Sequence, residues 1–168
     1  LVGSEMCIRD SCGTPLSSHE VAQGYKDVKE RSAVVRFKVK GEDAYILAWT
    51  TTPWTLPSNV ALCVNPDEDY VKVTSKGYTY YMAAALVDTV LGEGAEILEH
   101  YQGKDLEFKE YEPLFPYAEK RIGNKKAYYV VCDTYVTLTD GTGVVHIAPA
   151  FGEDDSKVGH RYDPVSYT

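Results

Sequence analysis

Apolar and polar positions alternate along residues 33–39 (AVVRFKV), and after a KGED turn the run AYILAWT returns, so the pattern predicts a β-hairpin. DYVKVTS and YTYYMA predict a second hairpin around Lys76-Gly77. AALVDTVLG reads as a short helix closed by Gly92 as C-cap. AYYVVCDTYVTL is a β-branched and aromatic run, and GVVHIA is a short apolar strand bounded by glycines and Pro149. Strands outnumber helices. Residues 14–160 contain no repeat, low-complexity tract or linker, so one β-rich α/β domain is the expected architecture. LVGSEMCIRDS, at the start, has no periodicity and reads as an atypical leader over residues 1–11.

Composition narrows the class. At 168 residues, with 44% hydrophobic and 12% aromatic content, the chain carries enough apolar surface for its own core. Its uncharged apolar stretches are far shorter than a membrane span, and the N-terminus lacks the order of a signal peptide. The expectation is a cytoplasmic protein without a membrane partner. Cys7, Cys12, Cys63 and Cys132 fit no disulfide framework and read as reduced thiols. The net charge of −8 argues against a dedicated nucleic-acid binder, because phosphate contacts need clustered Lys and Arg. EKRIGNKK, with Lys120, Arg121, Lys125 and Lys126, is the local exception, and a solvated hairpin tip is the preferred reading of it.

Two stretches resist an ordinary structural reading. In AWTTTPWTLPSN, Pro53 and Pro57 remove backbone donors, so the chain leaves its sheet just after Trp49 and three threonines fall at a strand end. Strand ends at a sheet rim are where polar side chains meet ligands on a rigid scaffold, although consecutive threonines are also plain β-formers. In DGTGVVHIAPAFGEDD, His146 stands mid-strand among apolar residues. Glu153, Asp154 and Asp155 follow Gly152 at a helix start, where carboxylates also serve as caps. Alone, each admits a packing explanation; together they point to a site.

TTTPWTLPSN, followed about ninety residues later by GTGVVHIAPAFGEDD, resembles the editing domain inserted in isoleucyl-tRNA synthetases, over residues 12–162. The related valyl and leucyl enzymes typically carry TTRP where this chain has Thr52-Pro53-Trp54. LSSHEVAQGYKDVKERS and YEPLFPY also resemble the isoleucyl family's connecting segments, whereas its HIGH-like and KMSKS-like ATP-site signatures are absent. The family's Cys-Pro-x-Cys pair is incomplete, with Cys12 in place and Arg9 where its partner would be, which puts any zinc site in doubt. HRYDPVSYT starts like the family's continuation and then drifts, so residues 163–168 read as a truncated tail.

The resemblance implies a β-barrel-rich α/β editing domain with a few peripheral helices. No metal or other cofactor is expected, because His146 and the carboxylates lack a ligand spacing. It implies hydrolysis of valine from mischarged tRNA, in a pocket too small for isoleucine. One methylene is worth only about 1–3 kcal/mol of discrimination, a figure for which isoleucyl-tRNA synthetase is itself the standard case, so a second sieve is needed. By resemblance Thr50, Thr51, Thr52, Trp54, Asn59, His146 and Asp155 bind the aminoacyl group and terminal adenosine. Asp155 would pair with the substrate ammonium, Thr51 and Thr52 would form the stiff wall, and His146 would hold the ribose or the attacking water. His146, Asp155 and Thr52 are thus the catalytic candidates. The expected partners are the 3′ end of an aminoacylated tRNA and the rest of a parent synthetase in cis, with the chain monomeric. A non-hydrolytic module binding the tRNA 3′ end stays open, since no Ser or Cys nucleophile accompanies His146 in either motif. So does a structural insert whose threonines and His146 only pack.

Overall fold

The computed structural model describes residues 6–9, 14–17, 31–115, 126–149 and 151–162. The EKRIGNKK segment lies outside these residues apart from Lys126. The chain divides into two units, Leu1–Arg31 and Ser32–Thr168. In the first, β1 (Met6–Arg9) and β2 (Thr14–Ser17) pair antiparallel.

The second unit carries a mixed sheet of eight strands among the described residues, curled into a half-barrel with few helices. The expected hairpins form as β3 (Ala33–Lys38) with β4 (Tyr45–Thr50), and β6 (Asp69–Ser75) with β7 (Tyr78–Ala83). Lys76 and Gly77 both take positive φ, 51° and 82°, which makes the second turn tight. After β7 a single 3-10 turn leads into α1 (Val87–Leu91), closed by Gly92 at φ 73°. β5 (Ala61–Val64) and β8 (Glu96–Gln102) complete features that the hydrophobic pattern does not announce. β5 is buried on both faces, and β8 is an exposed edge, so neither alternates cleanly.

β4 is the hub. One edge takes β3; the other pairs parallel with β7 at Tyr45 and Ile46, then with β10 (Val144–Ile147) at Trp49. β10 pairs antiparallel with β5, which pairs parallel with β9 (Tyr129–Cys132). The apolar run through residue 138 stops being a strand at Asp133, whose carboxylate accepts the Tyr135 N–H at 3.2 Å and turns the chain.

Phe37, Ile46, Ala48, Val71, Val73 and Met82 lie in one core, all at most 3% exposed. A second cluster joins Ala61, Cys63, Val131 and Ile147 to Val158 of α2 (Glu153–Tyr162). Cys63 and Cys132 are free buried thiols. No helix among the described residues is long and apolar enough to cross a membrane.

Glu42, in the β3–β4 turn, ties that hairpin to β6 and to the segment before β9. Its carboxylate accepts from Lys72, from Lys109 at 3.1 Å and from the Tyr81 hydroxyl at 2.8 Å. Burial alone would raise its pKa, but these donors outweigh it and hold the carboxyl at about 2, against an ordinary 4.5. A depressed carboxylate pKa stabilises the fold fully above the unfolded value and loses that contribution as pH falls from about 4.5 toward 2. Urea unfolding of the parent and Glu42→Gln is expected to differ by about 1–3 kcal/mol at pH 7. The gap should shrink through that acid window, and a pH-independent gap would contradict the assignment.

Candidate active site

β4 ends because Thr52 is followed by Pro53, which has no N–H for the ladder but suits the first position of a helical turn. Residues Pro53–Ser58 accordingly wind into a 3-10 turn with Thr52 as its N-cap. The Thr52 carbonyl accepts both the Thr55 N–H at 3.0 Å and the Thr55 hydroxyl at 2.8 Å. The Thr52 N–H donates to Thr50 Oγ1 at 3.0 Å, so the three-threonine run is folded onto itself.

That turn faces β10. His146 Nε2 lies 3.0 Å from Thr55 Oγ1, joining the two motifs. Because the Thr55 proton goes to the Thr52 carbonyl, the hydroxyl meets His146 as an acceptor and Nε2 carries the imidazole proton. Nδ1 then holds a lone pair and, among the described residues, is buried without a hydrogen-bond partner. Burial pushes the His146 pKa down to about 4, so the ring is neutral near pH 7. Weaker contacts at 3.4 Å extend the chain of hydroxyls from Thr55 to Thr52 and on to Thr50.

Asp155 arrives from the first turn of α2. Its Oδ2 accepts the Ala148 N–H at 2.9 Å, which ties the helix start to the end of β10. Burial raises the Asp155 pKa, the Ala148 bond opposes that rise, and the neighbouring Asp154 adds to it. No described cation pairs with Asp155. A half-buried carboxylate in that condition gains from an incoming cation. Asp154 points elsewhere, to Lys157 at 3.4 Å on the exposed side of the helix.

These groups surround one cavity of about 350 Å³. Of the residues expected from sequence, Thr50, Thr51, Thr52, Trp54, His146 and Asp155 line it. Trp54 is 70% exposed at the rim, whereas Thr50 and His146 are buried. Asn59 is not in the lining. It is buried with its amide donating to the Ala61 carbonyl at 2.7 Å and accepting the Tyr111 hydroxyl at 2.6 Å, a structural use at the end of the turn. Among the described residues, no three His, Cys, Asp or Glu side chains converge as a metal site.

The cavity also takes in residues that the sequence reading passed over: Trp49, Thr55, Val145, Phe151 and Gly152. Thr55 lies inside the quoted motif, and the turn after Pro53 was the signal that could have brought it inward. Trp49 directly precedes the threonines. Its ring is met so closely by Gly141 that a Cβ there would lie 2.5 Å from it, and Gly141 also has φ 77°. A glycine is therefore required behind the indole.

Solved structures with this fold include one named GlLeuRS-CP1, at TM-score 0.62 and 16% identity over 79% of this chain and 65% of that one. Another is the Plasmodium knowlesi (P.knowlesi) cytosolic leucyl-tRNA synthetase editing domain, at TM-score 0.61 and 14% identity over 79% and 64%. The fold class is thus that of the synthetase editing domains. No family model matches the chain. Its sequence is 59% identical to the isoleucine–tRNA ligase of Clostridium acetobutylicum over 90% of the chain, and 50% identical to that of Picrophilus torridus over the same share. The chain belongs to the isoleucine–tRNA ligase family, and it spans 14% of the length of those relatives.

The bond to Thr55 sets an expectation for His146. Long-range ¹H–¹⁵N spectra should show a neutral ring with its proton on Nε2 from pH 8 down to about pH 5, titrating near 4. Thr55→Val should release the tautomer preference. A midpoint near 6.5 in the parent would contradict the burial of this ring.

Proposed function

We propose that the cavity hydrolyses valine from mischarged Val-tRNA(Ile), proofreading for a parent isoleucine–tRNA ligase in the cytoplasm. The observation that carries this reading is the convergence, around one small cavity, of a half-buried carboxylate that no described cation pairs and a stiff set of hydroxyls from a segment about a hundred residues away. Asp155 takes the substrate's α-ammonium and so fixes the acyl carbonyl in space. A water oxygen attacks that carbonyl carbon, the ester bond to the ribose oxygen breaks, and the ribose oxygen leaves with a proton. Neutral His146 and the Thr52 hydroxyl orient water and ribose, and no covalent acyl-enzyme is formed.

Discrimination falls to the threonines. Thr55 is 5% exposed and is tied by its hydroxyl to both the Thr52 carbonyl and His146, so it yields little to a larger side chain. Thr52 joins it through the same turn. Branched side chains with restricted χ1 make a wall that rejects one more methylene by steric overlap, at a cost of about 1–3 kcal/mol. Trp54 and Thr51, at the exposed lip, suit the terminal nucleoside. A second reading, a module that holds the tRNA 3′ end without hydrolysis, draws on the fact that His146 Nε2 is already engaged with Thr55 and that no Ser or Cys accompanies it in either motif.

Asp155→Asn keeps an acceptor for the Ala148 N–H while removing the charge. It should lower valine release from Val-tRNA by about 10²-fold or more, a loss of about 3 kcal/mol, with the unfolding midpoint unchanged. Parental rates in this variant would refute the ammonium anchor. Thr52→Ala and Thr55→Ala should each begin to release isoleucine from Ile-tRNA, narrowing the valine-to-isoleucine rate ratio by about tenfold. An unchanged ratio in both variants would remove the threonine wall. Retention of labelled RNA by a parent chain that releases no valine would favour the binding module.

A further inference from the structure

The sheet face that carries Trp49 continues beyond the cavity. Residues two apart on a strand share a face, so Trp49, Leu47 and Tyr45 of β4 point the same way. Their register partners share that face: Val145 and Val34 beside Trp49, Arg36 beside Leu47, Lys38 and Tyr80 beside Tyr45. A stripe therefore starts at the cavity wall and reaches Arg36 within two residues of β4, about 7 Å at the usual strand rise.

The stripe has a definite chemistry. Val34, next to Trp49, is an exposed apolar step, 47% accessible. The Arg36 guanidinium stacks 5.1 Å from the Tyr78 ring centroid and 5.5 Å from that of Tyr45, and Lys38 lies 4.8 Å from Tyr45. Two rings hold Arg36 in place while the residue itself stays exposed. Lys38 shares its charge with Asp43 at 2.5 Å, but among the described residues no carboxylate pairs with Arg36. On a chain of net charge −8, a preorganised cation without a counter-charge, on the same face as the cavity, suits a phosphodiester.

We infer that this face is a track for single-stranded RNA, with Arg36 taking a backbone phosphate of the strand whose 3′ end enters the cavity. The inference rests on the cavity receiving a tRNA 3′ end. Val34 and the Trp49 edge offer apolar support to the last bases, and Tyr78 flanks the phosphate. The contact makes a single-stranded partner bind more tightly than its terminal nucleoside alone, offsetting repulsion from the rest of this acidic chain.

The test uses the whole chain, a fluorescein-labelled RNA pentanucleotide ending in CCA, free adenosine and a hexaglutamate peptide. Arg36→Gln should weaken pentanucleotide binding about tenfold at low salt and reduce the slope of log affinity against log salt by about 0.7, the increment for one single-strand phosphate. Arg36→Lys should retain most of that slope. The Gln variant should keep the parental unfolding midpoint and the parental adenosine-induced shift at His146. The track is overturned if the parent fails to bind the pentanucleotide at low salt, if the Gln variant binds it with parental affinity and slope, or if hexaglutamate binds as tightly as RNA. Arg36-dependent RNA binding with no adenosine shift at His146 would support the track and count instead against the cavity as the nucleoside site.

Discussion

The contact between Thr55 and His146 holds the site together. It closes the gap between a 3-10 turn that exists because Pro53 ends a strand and a strand whose histidine has no other side-chain partner. A hydroxyl with one proton and two obligations can satisfy both only if the histidine supplies the second proton. That single constraint sets the tautomer and leaves the ring neutral. It also immobilises a branched side chain at the cavity wall. A neutral His in an apolar strand costs little to bury, whereas an imidazolium there would lack any counter-charge.

Charge is arranged with the same economy. The helix that follows β10 brings Asp155 to the cavity and turns Asp154 out to Lys157, so two adjacent carboxylates have separate uses. Asp155 is anchored by one backbone N–H and has no described cation to neutralise it. By contrast, Glu42 in the β3–β4 turn is paired with Lys72 and Lys109. The contrast makes Asp155 the place where a cation has most to gain, and Arg36, on the sheet face that carries Trp49, is the proposed counterpart for anions. The proposed substrate, an ammonium ester on a polyanionic strand, has both charges.

Much of this was legible in the residues. Both hairpins, the Gly92 cap, the β10 strand and the helix after Gly152 follow from alternation and from glycine and proline placement. β5 and β8 were not, because a strand buried on both faces and an exposed edge strand both lose the period of two. The site divides along a similar line. The threonine run, His146 and Asp155 stood out as unusual residues in unusual places. Thr55 and Trp49 did not, since their importance depends on the hydrogen bond to a residue 91 positions away and on a glycine packed against the indole. Asn59 shows the opposite effect. Its motif position suggested the pocket, while its amide is taken up by Tyr111 and Ala61.

In the proposed function, the cavity hydrolyses by size. Side-by-side deacylation of Val-tRNA(Ile) and Ile-tRNA(Ile) by the parent chain, followed as release of labelled amino acid at pH 7, tests that claim most directly. Valine should be released at least tenfold faster than isoleucine, corresponding to the energy of one excluded methylene. Equal rates for the two substrates, or tight binding of both with release of neither, would contradict it.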